Sequence, residues 1–183
     1  KCLLICKNLG YFSFIMKNRI IDEFLPQEVL TEFQNDIIST SFPFFIQNKV
    51  NNFQSGDNVH DWYACHTLYA DNIAESSYFE KIEKIFLPKF EEIYQVRALI
   101  RIKVNFYPHS KKLIVHAPHT DDTFSHIGAV FSLNTCDGFT KLSDGTIIDS
   151  VENRIVFFDA STLHNSTTTT TAVGRYNINF NFI

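Results

Sequence analysis

His119-Thr120-Asp121 places an imidazole and a carboxylate two residues apart. On a strand, residues i and i+2 face the same way, so both side chains can reach one metal ion. His164, at the edge of a later predicted strand, offers a third donor. Two histidines and one carboxylate on one face of an octahedral ion leave three positions open, which suits iron(II) binding a co-substrate and O2 together. The spacing alone is weak evidence, because chance readily supplies His-x-Asp in a chain with 7 histidines. Arg175 strengthens it, since a guanidinium there can hold the distal carboxylate of a dicarboxylic acid through two parallel hydrogen bonds.

These residues fall in a half of the chain with period-two patterning. Ile102, Val104 and Phe106 alternate with Arg101, Lys103, Asn105 and Tyr107. Further strands are predicted at 113–121, 126–134, 138–142, 146–150, 154–159, 161–166 and 173–182, with Asp137-Gly138, Asp144-Gly145 and Glu152-Asn153 as turns. Short strands with tight turns suggest a jelly roll or a closed double sheet. The last strand puts Arg175, Asn177, Asn179 and Asn181 on one face and Tyr176, Ile178, Phe180 and Phe182 on the other. The aromatic face is expected to pack against helices. The polar face either meets solvent or lines a wet pocket, because Arg and Asn are not buried dry without partners. The threonines at 167–171 read as a loop into that strand.

The first half reads as largely helical. Pro26 suits a first helical position, and Val29, Leu30, Phe33, Ile37 and Ile38 recur at helical spacing. A short strand is expected over 62–68. A second helix is expected from Ser77, with Ser77 and Glu80 spaced as a capping box and Phe79, Ile82, Ile85 and Phe86 as its apolar face. Pro88 should kink or split it.

The length of 183 residues and the 45% hydrophobic content fit one domain, 1–183, with a largely helical part (1–97) and a β core (98–183). The 19 phenylalanines predict an aromatic core. A net charge of −4 without basic clustering argues against a nucleic-acid surface. No run of apolar residues is long enough to span a membrane. Cys2, Cys6, Cys65 and Cys136 form no CxxC pair and read as reduced thiols in a cytoplasmic protein. Lys7 and Asn8 interrupt the apolar N-terminal stretch, and the functional protein is expected to begin near Met16.

The ordered blocks Tyr107-Pro108, His119-x-Asp121, Leu133-Asn134, Gly138-x-Thr140, Phe157-Phe158-Asp159, His164 and Arg175-Tyr-x-Ile-x-Phe180 resemble the 2-oxoglutarate/Fe(II) oxygenase superfamily, in its prolyl-hydroxylase-like branch. The resemblance implies a mainly β (α+β) fold, a double-stranded β-helix (jelly roll) with N-terminal helices packed on one sheet. It implies that His119, Asp121 and His164 ligate Fe(II). Arg175 and Tyr107 would bind the 5-carboxylate of 2-oxoglutarate, and Thr140 would line that pocket. It implies O2 as oxidant, with ascorbate as an accessory reductant, and oxidative decarboxylation of 2-oxoglutarate to succinate coupled to hydroxylation of a C–H bond. Ser132 stands where relatives often carry Tyr, and the threonine run lengthens the His164-to-Arg175 interval. Asp121 argues against halogenating relatives, which have a small residue there, and Asn181 against nucleobase demethylases, which have a second arginine.

The substrate on this reading is a peptide side chain such as proline, or a small metabolite. Asn105 and Asn179 are the expected substrate contacts. His60, His66, His109, His116 and His126 read as surface or supporting residues, Asp122 as a solvated neighbour, and Trp62 as core. The alternatives are a non-catalytic cupin-like metal-binding barrel, against which the lack of HxH argues, and an interaction domain with a decayed site.

Overall fold

The computed structural model describes residues 18–50 and 62–183. The apolar N-terminal stretch, Met16, Cys2, Cys6 and His60 lie outside the described residues.

Two antiparallel sheets carry the molecule. The larger joins β1 (Arg19–Ile21), β2 (Phe45–Gln47), β3 (Tyr63–Ala70), β4 (Ile73–Ala74), β5 (Leu99–Pro108), β6 (Ile127–Ser132), β9 (Ile155–Asp159) and β11 (Gly174–Phe182). Their spatial order is β1-β9-β6-β11-β5-β3-β2, with β4 on β3. The smaller sheet runs β10-β7-β8, from His164–Asn165, Phe139–Leu142 and Ile147–Asp149. The first half is thus less purely helical than expected, since it supplies β1–β4 alongside α1 (Gln27–Ile37) and α2 (Phe79–Glu91).

Strand alternation gives the larger sheet two unlike faces. On the outer face Ile102, Val104, Phe131, Phe157, Ile178, Phe180 and Phe182 are buried under the two helices. Helical spacing brings Leu30, Phe33 and Ile37 of α1, and Ile82, Phe86 and Phe90 of α2, onto that face. The phenylalanines interlock there: the Phe86 and Phe180 ring centroids are 4.7 Å apart, and Phe90 stacks on Phe182 at 5.3 Å. Between the sheets a smaller cluster of Val130, Leu142, Ile148, Val156, Phe158 and Ala160 closes one end. The other end is polar. β5 and β11 pair so that Arg101, Lys103, Asn105 and Tyr107 lie opposite Asn181, Asn179, Asn177 and Arg175. Of the two readings of this face, the structure selects the pocket.

Several local expectations change. Pro26 caps α1 from just outside it. The N-cap of α2 is Tyr78 with no side-chain capping bond, so the Ser77/Glu80 box does not form, and Glu80 pairs with Lys84 at 2.6 Å instead. Pro88 does not split α2, because Phe86 and Phe90 are both fixed in the core, 6.0 Å apart, on either side of it. The strand expected over 113–121 is reduced to isolated bridges, Val115 to Thr167 and His119 to His164. Pro118 cannot donate to a ladder, which favours such an irregular path. Cys65 and Cys136 are free thiols. No helix among the described residues is long and apolar enough to cross a membrane.

Candidate metal centre and its pocket

His119 and His164 meet through reciprocal backbone bonds, each N–H donating to the other's carbonyl at 2.9 Å. This single bridge does the positioning that a regular strand was expected to do. Asp121 N–H donates to the Ala160 carbonyl at 3.0 Å, which fixes the carboxylate beside the two rings. The turn before His164 is built by Asp159, whose carboxylate accepts from the Ser161 amide at 3.0 Å and whose carbonyl accepts from the Thr162 hydroxyl at 2.7 Å. His164 Nδ1 donates to the Thr162 carbonyl at 3.0 Å, leaving Nε2 to face Asp121 Oδ1 at 4.0 Å. One donor atom from each of His119, Asp121 and His164 lies within 4.8 Å of the others.

The protonation states suit a cation. Burial, reinforced by His164, lowers the His119 pKa to about 4, so its ring is neutral and has a free lone pair near neutral pH. Burial raises the Asp121 carboxyl, but His164, Arg101, His119 and the Asn179 amide outweigh it and hold it below the usual carboxylate range. Arg101 Nη2 donates to Asp121 Oδ1 at 3.0 Å, and Asn179 Nδ2 to Oδ2 at 3.3 Å. A neutral imidazole, a carboxylate held ionised and a histidine oriented through Nδ1 make a donor set that fits a divalent transition metal.

A cavity of about 340 Å³ opens from these residues along the β5/β11 face. Arg175 lies in its wall, 1% exposed. Its Nη2 donates to Thr140 Oγ1 at 2.7 Å, and its guanidinium sits 5.5 Å from the Tyr107 ring centroid. Its Nε and Nη1 are buried with no hydrogen-bond partner. A buried guanidinium without a counter-charge is costly, and the missing partner it calls for is an anion. Tyr107 stacks on Tyr63 at 5.5 Å, and burial pushes its hydroxyl up, so it remains a neutral donor.

Arg175, Tyr107, Thr140 and the three metal-site residues all line one cavity, as do Asn105 and Asn179. Both asparagines are engaged within the protein, Asn105 with Asn177 at 3.1 Å and Asn179 with Asp121. His66, His109 and His126 bind backbone carbonyls away from the cavity lining, and His116 meets Ser166 Oγ at 2.9 Å. Asp122 caps the Thr123 amide at 2.7 Å. Sequence reasoning missed the pairing of Arg101 with Asp121, although the alternation of β5 had put Arg101 and Lys103 on the polar face. It also missed Gln47, Lys49 and Tyr63 in the cavity wall, for which local sequence carried no signal.

No protein-family model matches the sequence, and no curated protein sequence does either. Solved structures do match in shape. A 2OG-Fe(II) oxygenase-family oxidoreductase from Burkholderia pseudomallei superposes with a TM-score of 0.69 at 11% identity, over 90% of this chain and 84% of that one. A prolyl hydroxylase from Trichoplax adhaerens, solved with a peptide of the hypoxia-inducible-factor oxygen degradation domain, gives 0.62 at 14% identity over 91% and 83%. The non-haem α-ketoglutarate-dependent epimerase SnoN of nogalamycin biosynthesis gives 0.67 at 11% identity over 91% and 78%. The chain therefore has the fold of the 2-oxoglutarate/Fe(II) oxygenases, with prolyl hydroxylases among its structural neighbours.

Proposed function

We propose that the chain is one oxygenase domain with a double-stranded β-helix at its core, and that it hydroxylates a small-molecule or peptide substrate using Fe(II), 2-oxoglutarate and O2. The single observation that carries this reading is the buried, unpaired Arg175 opening onto the same cavity as the convergent donors of His119, Asp121 and His164. One group calls for a divalent metal and the other for a carboxylate, and 2-oxoglutarate can satisfy both. The free thiols of Cys65 and Cys136 agree with a reducing, cytoplasmic setting.

When bound, iron and 2-oxoglutarate supply oxygen insertion: one O2 atom enters succinate, the other enters the substrate C–H bond, and carbon dioxide leaves. The residues of this chain bind and orient. His119 offers a neutral nitrogen because burial keeps it unprotonated. Thr162 holds the His164 ring so that Nε2 points inward. Asn179 and Arg101 fix both oxygens of Asp121. Arg175 would take the distal carboxylate of 2-oxoglutarate on its unpartnered Nη1, with Thr140 holding Nη2 in place and the Tyr107 hydroxyl as a further donor. Ascorbate would serve only to re-reduce the metal.

The test is succinate formation from 2-oxoglutarate under air with Fe(II), surveyed across peptides and metabolites. Succinate should form with the wild type and not with His119→Ala. Equal yields from the two proteins would refute the metal assignment.

A further inference from the structure

Lys49, Arg101, Lys103 and Arg175 all line the cavity, and among the described residues Asp121 is the one acidic group in its wall. Iron(II) and the 2-oxoglutarate dianion carry equal and opposite charge, so binding both leaves the cationic excess unchanged. Arg175 is accounted for by the co-substrate. Arg101 and Lys103 are not.

These two stand on the same face of β5, two residues apart, across from Asn181 and Asn179 of β11. Arg101 gives Asp121 one hydrogen bond, yet its Nε is buried with no partner. Lys103 is half-buried and makes no ion pair or hydrogen bond among the described residues. Burial and the neighbouring Arg101 lower the Lys103 pKa by more than Cys65 and Asp121 raise it, so the acidic groups around it do not offset its burial. Tyr63 cannot supply one, because burial, Tyr107 and Cys65 push its hydroxyl well up and keep it neutral. Asp121 is shared already, and a bound metal claims its charge. Apart from tyrosine rings, the described residues of the wall offer only Val50 and Val130 as apolar surface. Such a wall suits a charged group far better than an uncharged aliphatic side chain. The cavity volume of about 340 Å³ is that of a small-molecule site.

We propose that Lys103 and Arg101 form a second anion seat in this cavity and that the substrate is a small molecule bearing a carboxylate or phosphate group. This rests on reading the cavity as an iron and 2-oxoglutarate site. Lys103 supplies the point charge and Arg101 Nε the directed hydrogen bond. Exposed Lys49 at the rim adds to the positive field that draws an anion in.

Calorimetry tests this on the protein loaded with Mn(II), as a redox-stable stand-in, and saturated with 2-oxoglutarate so that Arg175 is occupied. Benzoate, phenyl phosphate and the neutral benzamide are then titrated separately. At least one of the two anions should bind ten-fold or more tightly than benzamide, and the one preferred identifies the group as carboxylate or phosphate. Lys103→Gln should weaken that anion ten-fold or more, Lys103→Met likewise, and Lys103→Arg should retain it. Titration of 2-oxoglutarate into each variant checks that the cavity still forms. No preference for the anions, or a preference that survives in both Lys103→Gln and Lys103→Met, would overturn the second seat while leaving the metal centre standing. Failure of the wild type to take up Mn(II) and 2-oxoglutarate would overturn the centre itself, and the second seat with it.

Discussion

Arg175 is the residue on which the functional reading turns. A guanidinium 1% exposed, with two nitrogens unpartnered, costs the folded protein stability until an anion arrives. Arg175→Met keeps most of the packing volume and removes that cost. The ligand-free variant should therefore unfold at or above the wild-type midpoint, while 2-oxoglutarate affinity falls by about 100-fold or more, as expected for losing charge-assisted bonds worth roughly 3 kcal/mol. Thermal melts with and without 2-oxoglutarate and Mn(II) report both effects, and a variant less stable than wild type yet unimpaired in binding would contradict the argument. His119 gives the pH dependence. Its folded pKa is lowered to about 4, so protons do not compete for its lone pair until the medium is well acidic. The His119 ring should therefore titrate only as pH approaches 4, against an ordinary 6.5, read from its imidazole chemical shifts in the metal-free protein, and a midpoint near 6.5 would contradict this. The three candidate metal ligands were legible in the sequence through the order of the blocks around them, not through their types, which chance readily supplies. The Arg101–Asp121 contact was not, since nothing local ties residues brought together only by the fold.

Among the elements, β5 and β11 decide what the cavity can bind, because their register sets Arg175 against Tyr107 and Asn179 against Lys103. Two glycines guard that register. A Cβ on Gly174 would drive into the Phe106 ring, which is itself packed on Tyr176 at 5.0 Å. Gly174→Ala should cost about 1–3 kcal/mol, read as a lowered unfolding midpoint. A Cβ on Gly138 would lie 2.8 Å from both Arg175 Cδ and the Thr168 carbonyl. Gly138→Ala should therefore weaken 2-oxoglutarate binding by displacing the guanidinium. The threonine run is more than a loop. Thr167 to Thr169 are buried, and Asp137 accepts from the hydroxyls of Thr169 at 2.7 Å, Thr170 at 2.5 Å and Thr171 at 3.1 Å. Although burial opposes it, these bonds hold the Asp137 carboxyl well below its ordinary 3.8. A depressed folded pKa stabilises the fold above the unfolded value and loses that stabilisation as pH drops below it. Asp137→Asn should thus lower the midpoint at neutral pH and flatten its dependence on pH below about 4. The alternation in the sequence foretold the ladder of β11, but not the tether of the threonines, which needs a partner from another turn.

At the scale of the whole molecule, one sheet divides a dry aromatic layer from a wet cavity. The 19 phenylalanines and the helical spacing foretold the first, and Phe86, fully buried between α1 and the sheet, is its centre. Phe86→Ala should cost roughly 3–5 kcal/mol in denaturant unfolding. The strand over 113–121 misled the periodicity reading, because an irregular segment fixed by single bridges keeps the apolar pattern of a strand without its ladder. The strands β1–β4 were largely illegible for the opposite reason: β1, β2 and β4 are too short to show a period. The central claim is that this scaffold assembles one metal and one 2-oxoglutarate in contact. Anaerobic addition of Fe(II) and then 2-oxoglutarate should produce a visible metal-to-ligand charge-transfer band that needs both additions and is absent in His119→Ala. A folded wild-type protein that shows no band under these conditions would contradict the account.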